Sequence, residues 1–103
     1  MNRLPSLQEC LEVACIGFGV DPHDVISRDT RRNVCDARAV FCAVAHQVAE
    51  RSWPDISRFI CRRAHSTACA AGNRAMNDPE LAKCVSVAIR HVQKRAASGV
   101  EVG

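Results

Sequence analysis

This sequence predicts an all-α fold, a compact bundle of about six helices with a helix-turn-helix at its centre. Three observations carry that prediction. The 103 residues include no Tyr, one Trp and three Phe. The core must then be built from Val, Leu, Ile, Ala and Cys, which suits close-packed helices better than a sheet rich in β-branched and aromatic side chains. Apolar residues recur at spacings of three and four along most of the chain, as in helices with one buried face. Capping residues stand ahead of these runs, at Ser6, Asp21, Asn33, Ser52 and Asp78, where a side-chain oxygen can accept from the free N–H groups of a first turn. A chain of this length forms one domain, read here as residues 1–97 with 98–103 as a frayed tail.

Ser6 and Glu9 form a capping box, after which Leu7, Leu11, Ala14, Cys15 and Phe18 share a face. The first helix therefore runs from about Leu7 to Ile16, stopped by Gly17 and Gly19. Asp21 and Pro22 read as an N-cap and first helical position of a short helix through Val25 and Ile26. The stretch "SRDTRRN" is polar, basic and aperiodic, hence a loop. Asn33 and Asp36 repeat the capping pattern and open the longest stripe, Val34, Ala37, Phe41, Val44 and Val48. This helix ends near Arg51 and lies at the centre of the core.

Ser52, Pro54 and Asp55 start a helix of about two turns that carries Ile56, Phe59 and Ile60 inward. A tight connection, "CRR", leads to another short helix from about His65 to Met76. Two short helices joined by a few residues make the helix-turn-helix pattern. Asp78 and Pro79 open the last helix, with Leu81, Cys84, Val85, Ala88, Ile89 and Val92 along one face. Phe41 and Trp53 read as packing residues, and His23, His46 and His91 carry no functional signal.

Composition narrows the function classes. The net charge is +3, and twelve of the fourteen basic residues are Arg, whose forked guanidinium suits phosphate. From Arg28 to Arg63 there are eight basic and four acidic residues, a local excess of +4, while the remainder nets −1. Seven cysteines, an odd number without a CxxC pair, read as reduced core thiols in a reducing compartment. Cys61, His65 and Cys69 could share a helical face, but no fourth ligand with zinc spacing accompanies them. No metal or other cofactor is expected. The N-terminus lacks an apolar run and no segment approaches the roughly 18 apolar residues of a membrane span; the location expected is cytoplasmic. Gly-Lys-Ser/Thr phosphate-loop chemistry and clustered catalytic Glu/His or Cys/His spacings are absent, so the chain reads as a non-enzyme.

The chemistry concentrates in "CRRAHSTACAA", Cys61 to Ala71. The second helix of a helix-turn-helix enters the major groove N-terminus first, so its first residues meet base edges while the turn meets the backbone. Arg62, Arg63, His65, Ser66 and Thr67 occupy those positions. Behind them Ala68, Ala70, Ala71 and Gly72 let the helix lie close to its neighbours.

From "LQECLEVACIGFGV" through "RRAHSTACAA" the order resembles the C-terminal, origin-binding domain of the bacterial replication initiator DnaA, over about nine-tenths of the chain. The basic run after the "D-x-x-S" loop, the segment "SWPDISRFI" and above all "RRAHSTA" carry the resemblance. It implies a Trp-repressor-like all-α fold and binding of double-stranded DNA at DnaA-box-like sites. It also implies roles for single residues: Arg32, beside Arg31, as a loop arginine entering the minor groove, and Arg38 near the DNA backbone. Arg63, His65, Ser66 and Thr67 match the motif arginine, histidine and two threonines. Departures accompany these matches. Ala64 replaces the motif aspartate, Ala39 replaces a glutamine beside Arg38, and Cys61 and Arg62 replace turn glycines. Two absent polar contacts count against recognition of the standard DnaA box.

The function expected is therefore sequence-biased duplex binding by a free-standing module without ATPase, monomeric by default. The competing reading is a protein-interaction module that kept the scaffold and lost its DNA affinity. The charge gathered around the reading head favours DNA.

Overall fold

The computed structural model describes residues 5–27, 31–60 and 65–98. Among them lie six helices and no strand: α1 (Leu7–Phe18), α2 (Pro22–Ile26), α3 (Arg32–Gln47), α4 (Trp53–Ile60), α5 (His65–Asn77) and α6 (Pro79–Ser98). The all-α bundle expected from composition and spacing is the fold observed.

The caps explain most of the boundaries. Ser6 Oγ accepts from Glu9 N while Glu9 Oε1 accepts from Ser6 N, a complete capping box. α1 runs two residues beyond Ile16 because Gly17 stays helical. Gly19, at φ 65°, ends it: its N–H reaches Ile16 O and that of Val20 reaches Cys15 O, the paired bonds of a Schellman motif. Asp21 caps α2 through His23 N, Ser52 Oγ accepts from Asp55 N in α4, and Asp78 Oδ1 accepts from Glu80 N and Leu81 N in α6.

Both ends of α3 differ from expectation. It begins at Arg32, and Asn33, the expected cap, lies inside its first turn with Oδ1 accepting from Val34 N. Asp36 cannot complete a capping box because its carboxylate is engaged by Arg32 and Arg74. At the far end the helix stops at Gln47 rather than near Arg51, where Val48 N closes on Val44 O and Glu50 turns the chain away at φ 55°. α6 continues through Ser98, one residue past the expected domain edge; residues 99–103 lie outside the described part.

The core is organised around α3. Every residue from Ala39 to Ala45 is buried, so two helical turns are enclosed on all sides, by α1, α5, α6 and the ends of α2 and α4. A helix buried all round needs small side chains where neighbours approach, and Ala39, Cys42, Ala43 and Ala45 supply them. Phe41 fills the centre and meets Phe59 of α4 at a ring separation of 5.7 Å. The apolar stripe of α6 packs as expected, with Leu81, Val85, Ala88 and Val92 buried.

Six of the cysteines are free thiols, and Cys10, Cys15 and Cys42 are buried. Burial pushes the Cys10 thiol up to about 12, and that of Cys15, aided by the nearby carboxylates of Asp21, Asp24 and Glu12, up to about 11. Both stay protonated and unreactive near neutral pH.

The helix-turn-helix is locked by one close approach. A Cβ added at buried Gly72 of α5 would stand 2.6 Å from the Trp53 indole of α4. The same indole stacks on His46 at a centroid distance of 3.8 Å, which restricts its freedom to move aside. His46 Nδ1 lies 3.0 Å from Arg51 O; since a carbonyl only accepts, this nitrogen carries the proton. Gly72→Ala should therefore cost about 1–3 kcal/mol by overpacking, although alanine alone would favour the helix by about 1 kcal/mol. In urea denaturation, Trp53→Leu should be less costly in the Gly72→Ala background than in the natural chain. Simple additivity would show that the indole does not set the space over Gly72.

Candidate nucleic-acid interface

The first group of predicted site residues gathers where α2 meets α3. Arg31 flanks the start of α3, its guanidinium 3.0 Å from Asp24 Oδ2. Arg32, the first residue of the helix, is 90% exposed along its side chain and stands 3.6 Å from Asp36. Such exposed pairs are worth little in water and leave a guanidinium available to a stronger anion. Residues 28–30 of the intervening loop lie outside the described part.

Arg38 behaves differently. Its Nε donates to Val25 O at 2.9 Å, and one terminal nitrogen donates to Ser27 O at 3.0 Å and Asp24 O at 3.3 Å. These carbonyls belong to the end of α2, where helical acceptors run out of intrahelical donors. The side chain thus clasps α2 onto α3 and fixes the base of the basic loop. Neighbouring Ala39 is fully buried, so the position given to glutamine in the resemblance faces the core in this chain. A long polar side chain there would be buried; its absence is a matter of packing.

The second group belongs to α4, the turn and α5. Arg62, Arg63 and Ala64 of the turn, with Cys61, lie outside the described residues. His65, Ser66 and Thr67 form the first turn of α5, and their side chains are likewise outside the described part. Further along α5, Ala70, Asn73 and Arg74 are exposed, whereas Ala68, Gly72 and Ala75 form the buried row. The small residues behind the polar front thus do what their size suggests, bringing α5 against α3, α4 and α6.

Sequence reading missed the connection between the two groups. Arg74, on α5, donates to Asp36 Oδ1, and the other oxygen of that carboxylate faces Arg32. Asp36 thereby ties the start of α3 to α5 across 38 residues of sequence. No local pattern could announce a pairing that remote. Among the described residues no cluster of His, Cys, Asp and Glu could hold a metal ion, and no helix is long and apolar enough to cross a membrane.

Residues 7–74 match the family model described as the bacterial DnaA protein helix-turn-helix. No curated protein and no solved structure matches the chain.

The clasp has a direct consequence. Arg38→Ala should lower stability by about 1–3 kcal/mol, through loss of charge-assisted bonds to three carbonyls. It should also accelerate amide hydrogen exchange over residues 22–27, with Arg38→Lys intermediate because an ammonium cannot reproduce the fork. Unchanged exchange and stability would mean that the side chain does not hold the loop.

Proposed function

The chain belongs to the bacterial DnaA helix-turn-helix family, and on that premise we propose that it grips double-stranded DNA at two adjacent grooves with one rigid unit. The start of α5, with Arg62, Arg63, His65, Ser66 and Thr67, enters the major groove; Arg31 and Arg32 reach into the neighbouring minor groove. The observation that best supports this reading is the Asp36 bridge, which couples the arginine cluster at α3 to α5 through Arg74. A bridge that holds α3 and α5 in one register lowers the ordering cost of engaging both grooves, so more of the contact energy appears as affinity.

The chemistry at each region differs. Phosphates attract Arg62 and Arg63 irrespective of sequence, while imidazole and short hydroxyls at positions 65–67 reach base edges. An exposed guanidinium such as that of Arg32 senses the deep negative potential of a narrow, A·T-rich minor groove. Arg38 contributes chiefly by holding the loop that presents Arg31 and Arg32. The module acts without nucleotide hydrolysis. With alanine at position 64 it reads DnaA-box-like sites less selectively than a chain with the family's aspartate would. That acid can accept a bond from the cytosine amine, and its charge repels phosphates.

Binding to duplex DNA should be strongly salt-dependent. With roughly four to six phosphates neutralised, the slope of log affinity against log salt should be near −4 to −5. No binding at low salt would overturn the proposal in favour of a protein-interaction role for the scaffold. Arg32→Ala should weaken all duplexes, most of all those with A·T-rich flanks, whereas His65→Ala should cost about 1–3 kcal/mol on the preferred site alone. Equal losses for His65→Ala on preferred and random DNA would remove it from the base-reading set.

Ala64→Asp gives the sharper check. Titrated at one salt concentration on box and scrambled duplexes, it should widen the gap between them by about 1–3 kcal/mol and weaken binding to the scrambled one. Equal loss on both would mean that α5 does not dock in the family's register.

A further inference from the structure

An open groove of about 590 Å³ lies between α1 and α6, and no residue of α4 or α5 lines it. Val13, Ala14, Val40 and Ala88 form its floor. At its lips Ile16 of α1 and Val87 of α6 stand 73% and 49% exposed, an arrangement with no role in folding and an unfavourable one in water. Four basic side chains border these apolar residues, Lys83, His91, Lys94 and Arg95, and among the described residues no carboxylate lines the groove. Glu12 stands just beyond, holding Arg95 at 3.2 Å.

Geometry and charge together define an occupant. Positions 83, 87, 91 and 94 follow one row of α6, covering about 16 Å at 1.5 Å per residue. A partner helix of about three turns matches that length. An all-helical face offers no strand edge to extend, so recognition here is of the helix-in-groove kind. We propose that the α1–α6 groove binds an acidic amphipathic helix of another protein. Its apolar residues, at three- and four-residue spacing, cover Ile16 and Val87, and its flanking carboxylates meet Lys83, Lys94 and Arg95. A second copy of this chain is a poor occupant, because a two-fold interface would set the same cations against one another. Nucleic acid is poorer still, since its phosphates would lose water against an apolar floor that returns no hydrogen bonds. Because α4 and α5 take no part, the partner and duplex DNA can be bound together.

The probe is a labelled synthetic helix of about fourteen residues with Leu at the inward positions and Glu on both flanks. It is compared with a scrambled peptide of the same composition and with a Lys-for-Glu version. Anisotropy titrations against the whole 103-residue chain should show saturable, salt-sensitive binding, about tenfold or more tighter than either control. Amide shifts in the isotope-labelled protein should concentrate in residues 13–18 and 83–95. Val87→Asp, at an exposed position, should lower affinity about tenfold or more with helix content and duplex binding unchanged, and the double change Lys83→Glu, Lys94→Glu should weaken the peptide by a similar factor with helix content unchanged. Any of four outcomes overturns the proposal: no saturation, equal binding of the scrambled peptide, shifts confined to α4 and α5, or self-association that Val87→Asp abolishes.

Discussion

Enclosing α3 on every side is the constraint from which the remaining architecture follows. A helix with one apolar stripe can be covered by two neighbours; one buried at seven consecutive positions, Ala39 to Ala45, must be surrounded. Among the described residues the five other helices all pack against it. The same economy of volume recurs where Trp53 lies over Gly72. Close packing leaves little room for adjustment, so α4 and α5 hold one mutual orientation.

α3 also divides the labour along its length. Its middle, Ala39 to Ala45, is core, whereas its first two turns bury Val34 and Ala37 and carry Arg32, Asp36 and Arg38 on their outer side. Asp36 receives Arg74 from α5, and Arg38 reaches back to three carbonyls at the end of α2. The buried middle thus gives the polar start its rigidity. A basic loop on a floppy connection would lose ordering entropy each time it met DNA; one clasped at its base loses much less.

Much of this was legible in the sequence because the relevant signals are local. Ser6 with Glu9, Asp21 with Pro22, Ser52 with Asp55 and Asp78 with Pro79 mark helix starts within four residues, and spacing alone picks out Leu11, Phe41, Val85 and Val92 as core. What was not legible depends on partners distant in the chain. Asn33 looks like a cap until Asp36 is drawn to Arg74. The carbonyls that Arg38 holds come into view only once the end of α2 lies beside it, and His46 carries no signal until Trp53 stacks on it. The α1–α6 groove escapes for another reason: Ile16 and Val87 are ordinary members of apolar helices, and only the assembled bundle shows them standing exposed at its lips.

Cysteine where other cores use alanine or valine gives this bundle its own internal reporters. Cys10 and Cys15 sit on α1 and Cys42 at the middle of α3, each sealed from solvent. A thiol in that state reacts with a small alkylating reagent only when its surroundings open. Its labelling rate therefore measures how often that part of the molecule comes apart. The peripheral helix and the enclosed one carry separate clocks, written into the natural sequence, so the order in which the layers of the bundle loosen can be timed without introducing a probe.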